Sequence, residues 1–221
     1  MKFAFIRMRM ASAAALIGLQ FAGCAATPPI RFHSLLPVES LVRAEPVVAR
    51  SLAGFVVSSI MVTVPTQVDQ PQWLIRNADG TLSLLEQERW VAPLRSELQS
   101  ALLDRWVNAW KTRPPASASA SASASASATE NAWRVTLDVT RWDAVPGREV
   151  RLESRWTATS GAITLACRSM IREAAVGNAN SAVLALADSH RRAVVRLADD
   201  VASRIDQIEK GQSAKCAEAT V

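Results

Sequence analysis

Tyrosine is missing from this 221-residue chain, histidine occurs twice and glycine only eight times. Each shortage removes a kind of chemistry. A hydrolase of a familiar type would carry G-x-S-x-G or H-E-x-x-H, and neither occurs; no glycine-rich loop could cradle a phosphate. His33 falls in a short predicted strand. His190 falls on the apolar stripe of a predicted helix, where a hydrogen-bonded core histidine is the expected role. The paired acids Glu86/Glu88 and Asp199/Asp200 read as solvated positions rather than a catalytic dyad. Three cysteines at wide spacing suggest no metal site. The chain also lacks a Lys/Arg block: the longest basic cluster, Arg191-Arg192 with Arg196, is interrupted by apolar residues, as on the wet face of a helix. Nucleic acid is therefore not an expected partner. These absences point to a non-enzymatic protein without metal or cofactor.

What the chain does have begins at its N-terminus. Lys2, Arg7 and Arg9 precede an apolar, small-residue stretch at 10–22, broken by Gln20. That is the length of a secretory h-region and falls short of the roughly 20 apolar residues of a membrane span. The stretch ends in Phe21-Ala22-Gly23-Cys24. Small residues before a cysteine let a lipoprotein signal peptidase reach the peptide bond, and a free thiol can accept a diacylglyceryl group. We expect residues 1–23 to be a lipoprotein signal and Cys24 the lipid-attachment residue, with 24–30 a tether; the competing reading is an ordinary secretory signal with an incidental cysteine. Ala25, not Asp, favours the outer membrane, with the chain facing the periplasm. Removing the three basic residues of the signal leaves 22 basic against 20 acidic residues, so the formal charge of +5 says little about partners. In an oxidising compartment Cys167 and Cys216 have two readings. They form a disulfide stapling the tail to the body, or Cys167 is a small buried hydrophobe and Cys216 lies in a frayed tail.

Periodicity sets the fold class. A short strand at 31–36 is followed by a Pro-containing loop over 37–54, and 55–64 is β-branched and reads as a strand closed by Pro65. Segments 72–76 and 81–85 flank Asn77-Ala78-Asp79-Gly80, a hairpin turn. Pro93 opens a helix whose Leu94, Leu98, Ala101, Leu102 and Trp106 form one stripe. Residues 114–130 alternate Ala and Ser, offer no apolar face, and are expected to be a flexible insertion. Three alternating strands follow, turning at Pro146-Gly147 and Ser160-Gly161, and a long helix spans 181–208. The expectation is a single α+β domain over 31–210, an antiparallel sheet with two helices packed on one face, and a tail at 211–221. Of seven tryptophans, Trp106, Trp133 and Trp156 fit the core, and Trp90 could staple the first helix. Trp110 ends that helix and Trp142 has the wrong parity for its strand, so these two are candidate exposed partner contacts; for Trp142 a β-bulge turning it inward is the alternative.

The order of motifs resembles the ABC-transport auxiliary lipoproteins, the paraquat-inducible protein C family. The resemblance rests on Cys24, then Arg31-Phe32-His33-Ser34-Leu35-Leu36-Pro37, Val62-Thr63-Val64-Pro65 leading through Asp69-Gln70-Pro71-Gln72, Trp90-Val91-Ala92-Pro93-Leu94, and Val139-Thr140-Arg141-Trp142 through Gly147-Arg148-Glu149-Val150 to Trp156. Phe32-His33 and the Ala/Ser insertion depart from the family pattern. The resemblance implies a non-enzymatic outer-membrane subunit of an envelope lipid-transport system. It also implies pairing with a periplasm-spanning protein that bears mammalian-cell-entry domains, and assembly as a homo-oligomeric ring. The alternative is a lipoprotein acting alone, binding lipid or another small ligand between sheet and helices.

Overall fold

The computed structural model describes residues 28–36, 55–110, 132–177, 181–214 and 216. The expected signal segment 1–23, Cys24, the expected loop 37–54, the Ala/Ser insertion and residues 217–221 lie outside the described residues. In chain order the elements are β1 (Arg31–His33), β2 (Val57–Thr63), β3 (Gln72–Arg76), β4 (Leu82–Trp90), α1 (Leu94–Ala109), β5 (Trp133–Val145), β6 (Glu149–Ser160), β7 (Ile163–Ala174) and α2 (Ala182–Glu209).

Period-two alternation builds the meander β5-β6-β7, whose antiparallel register runs from Arg134 opposite Thr159 to Glu149 opposite Ala174. Its turns need positive φ, supplied by Gly147 (φ 70°) and Gly161 (φ 53°). Along β5 the odd residues are buried as far as Val139; beyond it the even ones, Trp142 and Ala144, are buried. The register shift between Val139 and Arg141 accounts for the switch, because one extra residue reverses strand parity.

The described residues form a single α+β domain with two main helices. The single antiparallel sheet expected from sequence is divided in two: β2-β5-β6-β7 and β1-β4-β3. Two pairings are parallel, β2 with β5 and β1 with β4. Hairpin turns announce antiparallel neighbours locally, whereas parallel pairs join segments more than 50 residues apart and leave no local mark. Helix α1 starts where the Pro93 carbonyl accepts from Ser96 N (2.8 Å) and Glu97 N (3.1 Å). Both helices lie on one face of the four-stranded sheet. Trp106, Trp133, Trp156, Leu152, Leu186, Leu197 and Ile205 fill the space between, each less than 2 % exposed. Burying a side chain of this kind contributes about 1.5–3 kcal/mol. The indole N–H groups find partners in the same layer: Trp106 donates to the Ala198 carbonyl (2.8 Å) and Trp156 to Ser169 Oγ (2.9 Å).

Candidate functional site

The two tryptophans offered as candidate exposed contacts are buried, Trp110 at 4 % and Trp142 at 5 % exposure, and for Trp142 this is the bulge alternative. Trp110 packs at the end of α1 because its indole N–H donates to Asp199 Oδ1 on α2 (2.7 Å), an acid that also takes both ends of the Arg105 fork. Trp142 is carried inward by the bulge. Neither is an exposed contact point. The tail is held to the body by a disulfide between Cys167 on β7 and Cys216, whose Cα atoms are 5.1 Å apart.

Where the two sheets meet α2, an aromatic cluster forms that the sequence did not announce. His190 stacks on Trp142 (centroids 4.9 Å, planes 6° apart) and meets Trp73 and Trp90 edge-on, each at 5.4 Å. Trp73 packs on Trp90 at 4.7 Å and on His33 at 4.4 Å. His190 is buried as expected, yet its Nδ1 has no hydrogen-bond partner among the described residues. Burial, followed by the charges of His33 and Arg191, pushes its pKa down to about 3, so the imidazole is neutral at ordinary pH.

Next to this cluster, the solvated role expected for Glu88 is overturned: it is 3 % exposed. Arg31 sits directly across the parallel pair from it and donates through both Nε and Nη2, while His33 Nε2 lies 2.5 Å from Oε2. Burial would raise the Glu88 carboxyl, but the hydrogen bonds from Arg31 and His33 outweigh it and hold it below its ordinary value. Since Glu88 is ionised, His33 Nε2 must carry the proton. A second buried carboxylate, Glu97 of α1, accepts from Ser34 Oγ (2.7 Å) and Leu35 N (2.8 Å). Arg191 Nε donates to the Ser34 carbonyl (3.0 Å), and Val91 N to that of His33 (2.9 Å). Residues 31–35 are thus fastened to β4, α1 and α2 together. A signal for Glu88 exists in the sequence: it shares a face of β4 with Trp90, two residues on.

On the opposite side of the sheet from the helices lies a cleft of about 450 Å³, between the outward face of the β3-β4 hairpin and the wet face of β5-β6-β7. Arg76, Arg141, Arg155 and Arg168 line it with two acids, Asp143 and Glu153. Asp143 accepts from Arg76 Nη2 (3.0 Å) and Arg141 Nε (2.7 Å); Glu153 accepts from Arg168 Nη2 (2.9 Å) and Arg141 Nη1 (3.3 Å). For both acids burial works against ionisation and the arginines prevail, keeping each carboxyl below its ordinary range. Leu74 and Leu82 form the apolar wall. Between sheet and helices, where the alternative reading places a pocket, core side chains pack among the described residues. Among the described residues no group of His, Cys, Asp and Glu is arranged to hold a metal, and no helix is long and apolar enough to cross a membrane.

This two-layer α+β architecture is shared with solved proteins. An uncharacterized protein superposes with a TM-score of 0.59 at 11 % identity, over 80 % of this chain and 99 % of that one. Protein XCC0632 from Xanthomonas campestris, of family DUF330, does so with a TM-score of 0.55 at 12 % identity, over 84 % and 98 %. At such identities the likeness is one of fold. No curated protein matches the chain. Residues 40–202 match the family described as the ABC-type transport auxiliary lipoprotein component, and the chain belongs to that family.

Proposed function

We propose that this protein is a non-enzymatic, outer-membrane-anchored subunit of an envelope lipid-transport system, docking a periplasm-spanning partner that carries mammalian-cell-entry domains and assembling as a ring. Family membership over residues 40–202 is the observation that carries the reading. The lipobox at Cys24 supports it, as does the fastening of residues 31–35 to three elements of the body, which suits a domain held at a membrane surface. The histidines fit a structural role: one is neutral among tryptophans and the other is committed to Glu88. Affinity purification of the lipidated protein from gently solubilised envelopes should recover a protein with mammalian-cell-entry domains. Its absence from repeated native extracts would count against the docking role. Cys24→Ala should leave the domain folded and move it from the outer-membrane fraction to the soluble one; an unchanged fraction would refute the anchor.

A further inference from the structure

The charges lining the cleft do not cancel. Four arginines face two carboxylates, an excess of two positive charges. Arg76, Arg141 and Arg168 are engaged with Asp143 and Glu153, but Arg155 has neither hydrogen bond nor ion pair among the described residues. Arg155 lies directly across the β6-β7 pair from Arg168 and across the β5-β6 pair from Asp138, whose Oδ1 accepts from Thr63 Oγ1 and which makes no ion pair with Arg155 among the described residues. Like charges in opposed positions destabilise a sheet unless something of the other sign joins them. Arg76 Nε is buried and has no hydrogen-bond partner among the described residues either, although a buried donor ordinarily has one. Beside these cations the hairpin presents apolar surface. Arg76 is paired with Leu82 and Leu74 with Leu84 across β3-β4, and both Leu82 and Leu84 are nearly half exposed.

We propose that this cleft binds a phosphate-bearing amphiphile, with Arg155, Arg168 and Arg76 on the phosphate and Leu82 and Leu84 against the adjoining apolar chain. Guanidinium groups on separate strands suit an anion with several acceptor oxygens, each of which can take a forked contact. The volume fits a headgroup and the first few carbons of a chain. The phosphate could come from a lipid headgroup or from free phosphate, and the leucine wall favours the former. This inference goes beyond the docking role and needs no partner protein, so binding of ligand and recovery of a partner can fail separately.

The test is native mass spectrometry of the full chain in dodecyl maltoside, titrated in turn with dihexanoylphosphatidylglycerol, inorganic phosphate, dihexanoylglycerol and an acidic peptide. The phospholipid should bind one per chain and more tightly than phosphate, and dihexanoylglycerol should not bind. Arg155→Gln, a change at an exposed side chain without an ion pair, should weaken phospholipid binding about tenfold. Leu82→Asn should weaken it about threefold and leave phosphate binding unchanged. The proposal is overturned if Arg155→Gln has no effect, if dihexanoylglycerol binds equally well, or if phosphate binds as tightly as the phospholipid. It is also overturned if only the acidic peptide binds, which would assign the cleft to a protein partner.

Discussion

His190 occupies a position where a charge would be costly and a hydrogen bond is missing. Trp73, Trp90 and Trp142 surround it, and its ring stacks on the last of these. In the unfolded chain the imidazole titrates near 6.5; in the fold it does so near 3. Below pH 6.5 the unfolded chain therefore gains a proton that the folded state refuses. The stability contributed is complete above that value and is lost as pH falls toward 3, by about 1.4 kcal/mol per pH unit. Urea unfolding should show a loss of about 2 kcal/mol between pH 7 and pH 5 in the wild type. In His190→Phe, which keeps a ring and removes the orphaned nitrogen, that part of the slope should vanish and stability at pH 7 should be retained. An unchanged slope would mean that His190 is not what titrates. From sequence His190 was legible as a core residue by its place on the helix stripe. Its tryptophan cage was not, because the cage draws on β3, β4 and β5.

Strands and helices were legible wherever a single period ran unbroken, as in the turns and alternation of β5-β6-β7 and the stripes of α1 and α2. At Thr140 one extra residue inverted the parity of β5, so strand alternation left Trp142 open between an exposed position and the bulge-turned inward one that the structure has. At β1 the strand itself was legible, though shorter than expected, but its parallel pairing with β4 was not. That pairing also hid Glu88, whose partners Arg31 and His33 precede it by 55 residues or more. Replacing Glu88 by Gln should cost about 2 kcal/mol and speed amide exchange through residues 31–35 ahead of the rest of the domain. Because its folded pKa is depressed, the contribution of Glu88 is complete above the ordinary glutamate value of 4.5 and disappears as pH falls through the lower folded value. Wild type and Glu88→Gln should therefore converge in stability in acid; a constant difference down to pH 2 would contradict the assignment.

For the domain as a whole, the helical layer is secured from both ends. At one, Glu97 and Arg191 take hold of residues 34 and 35; at the other, the disulfide ties Cys216 across to β7, closing 49 residues of chain that include all of α2. Cys216→Ser should lower the unfolding free energy by about 2–4 kcal/mol, and reduction of the wild type should reproduce the loss. If neither treatment moves the unfolding midpoint, the bridge does not constrain the native chain. The fastening of β1 has a mechanical side too. A lipid at Cys24 would be separated from Arg31 by the six residues 25–30, at most about 25 Å of chain when fully drawn out. Any tension between membrane and body would enter at Arg31 and be shared at once among β4, α1 and α2, which are pulled together instead of being peeled off one strand at a time. On that account the domain is a load-bearing mooring, able to transmit a tug on its leash without first coming undone.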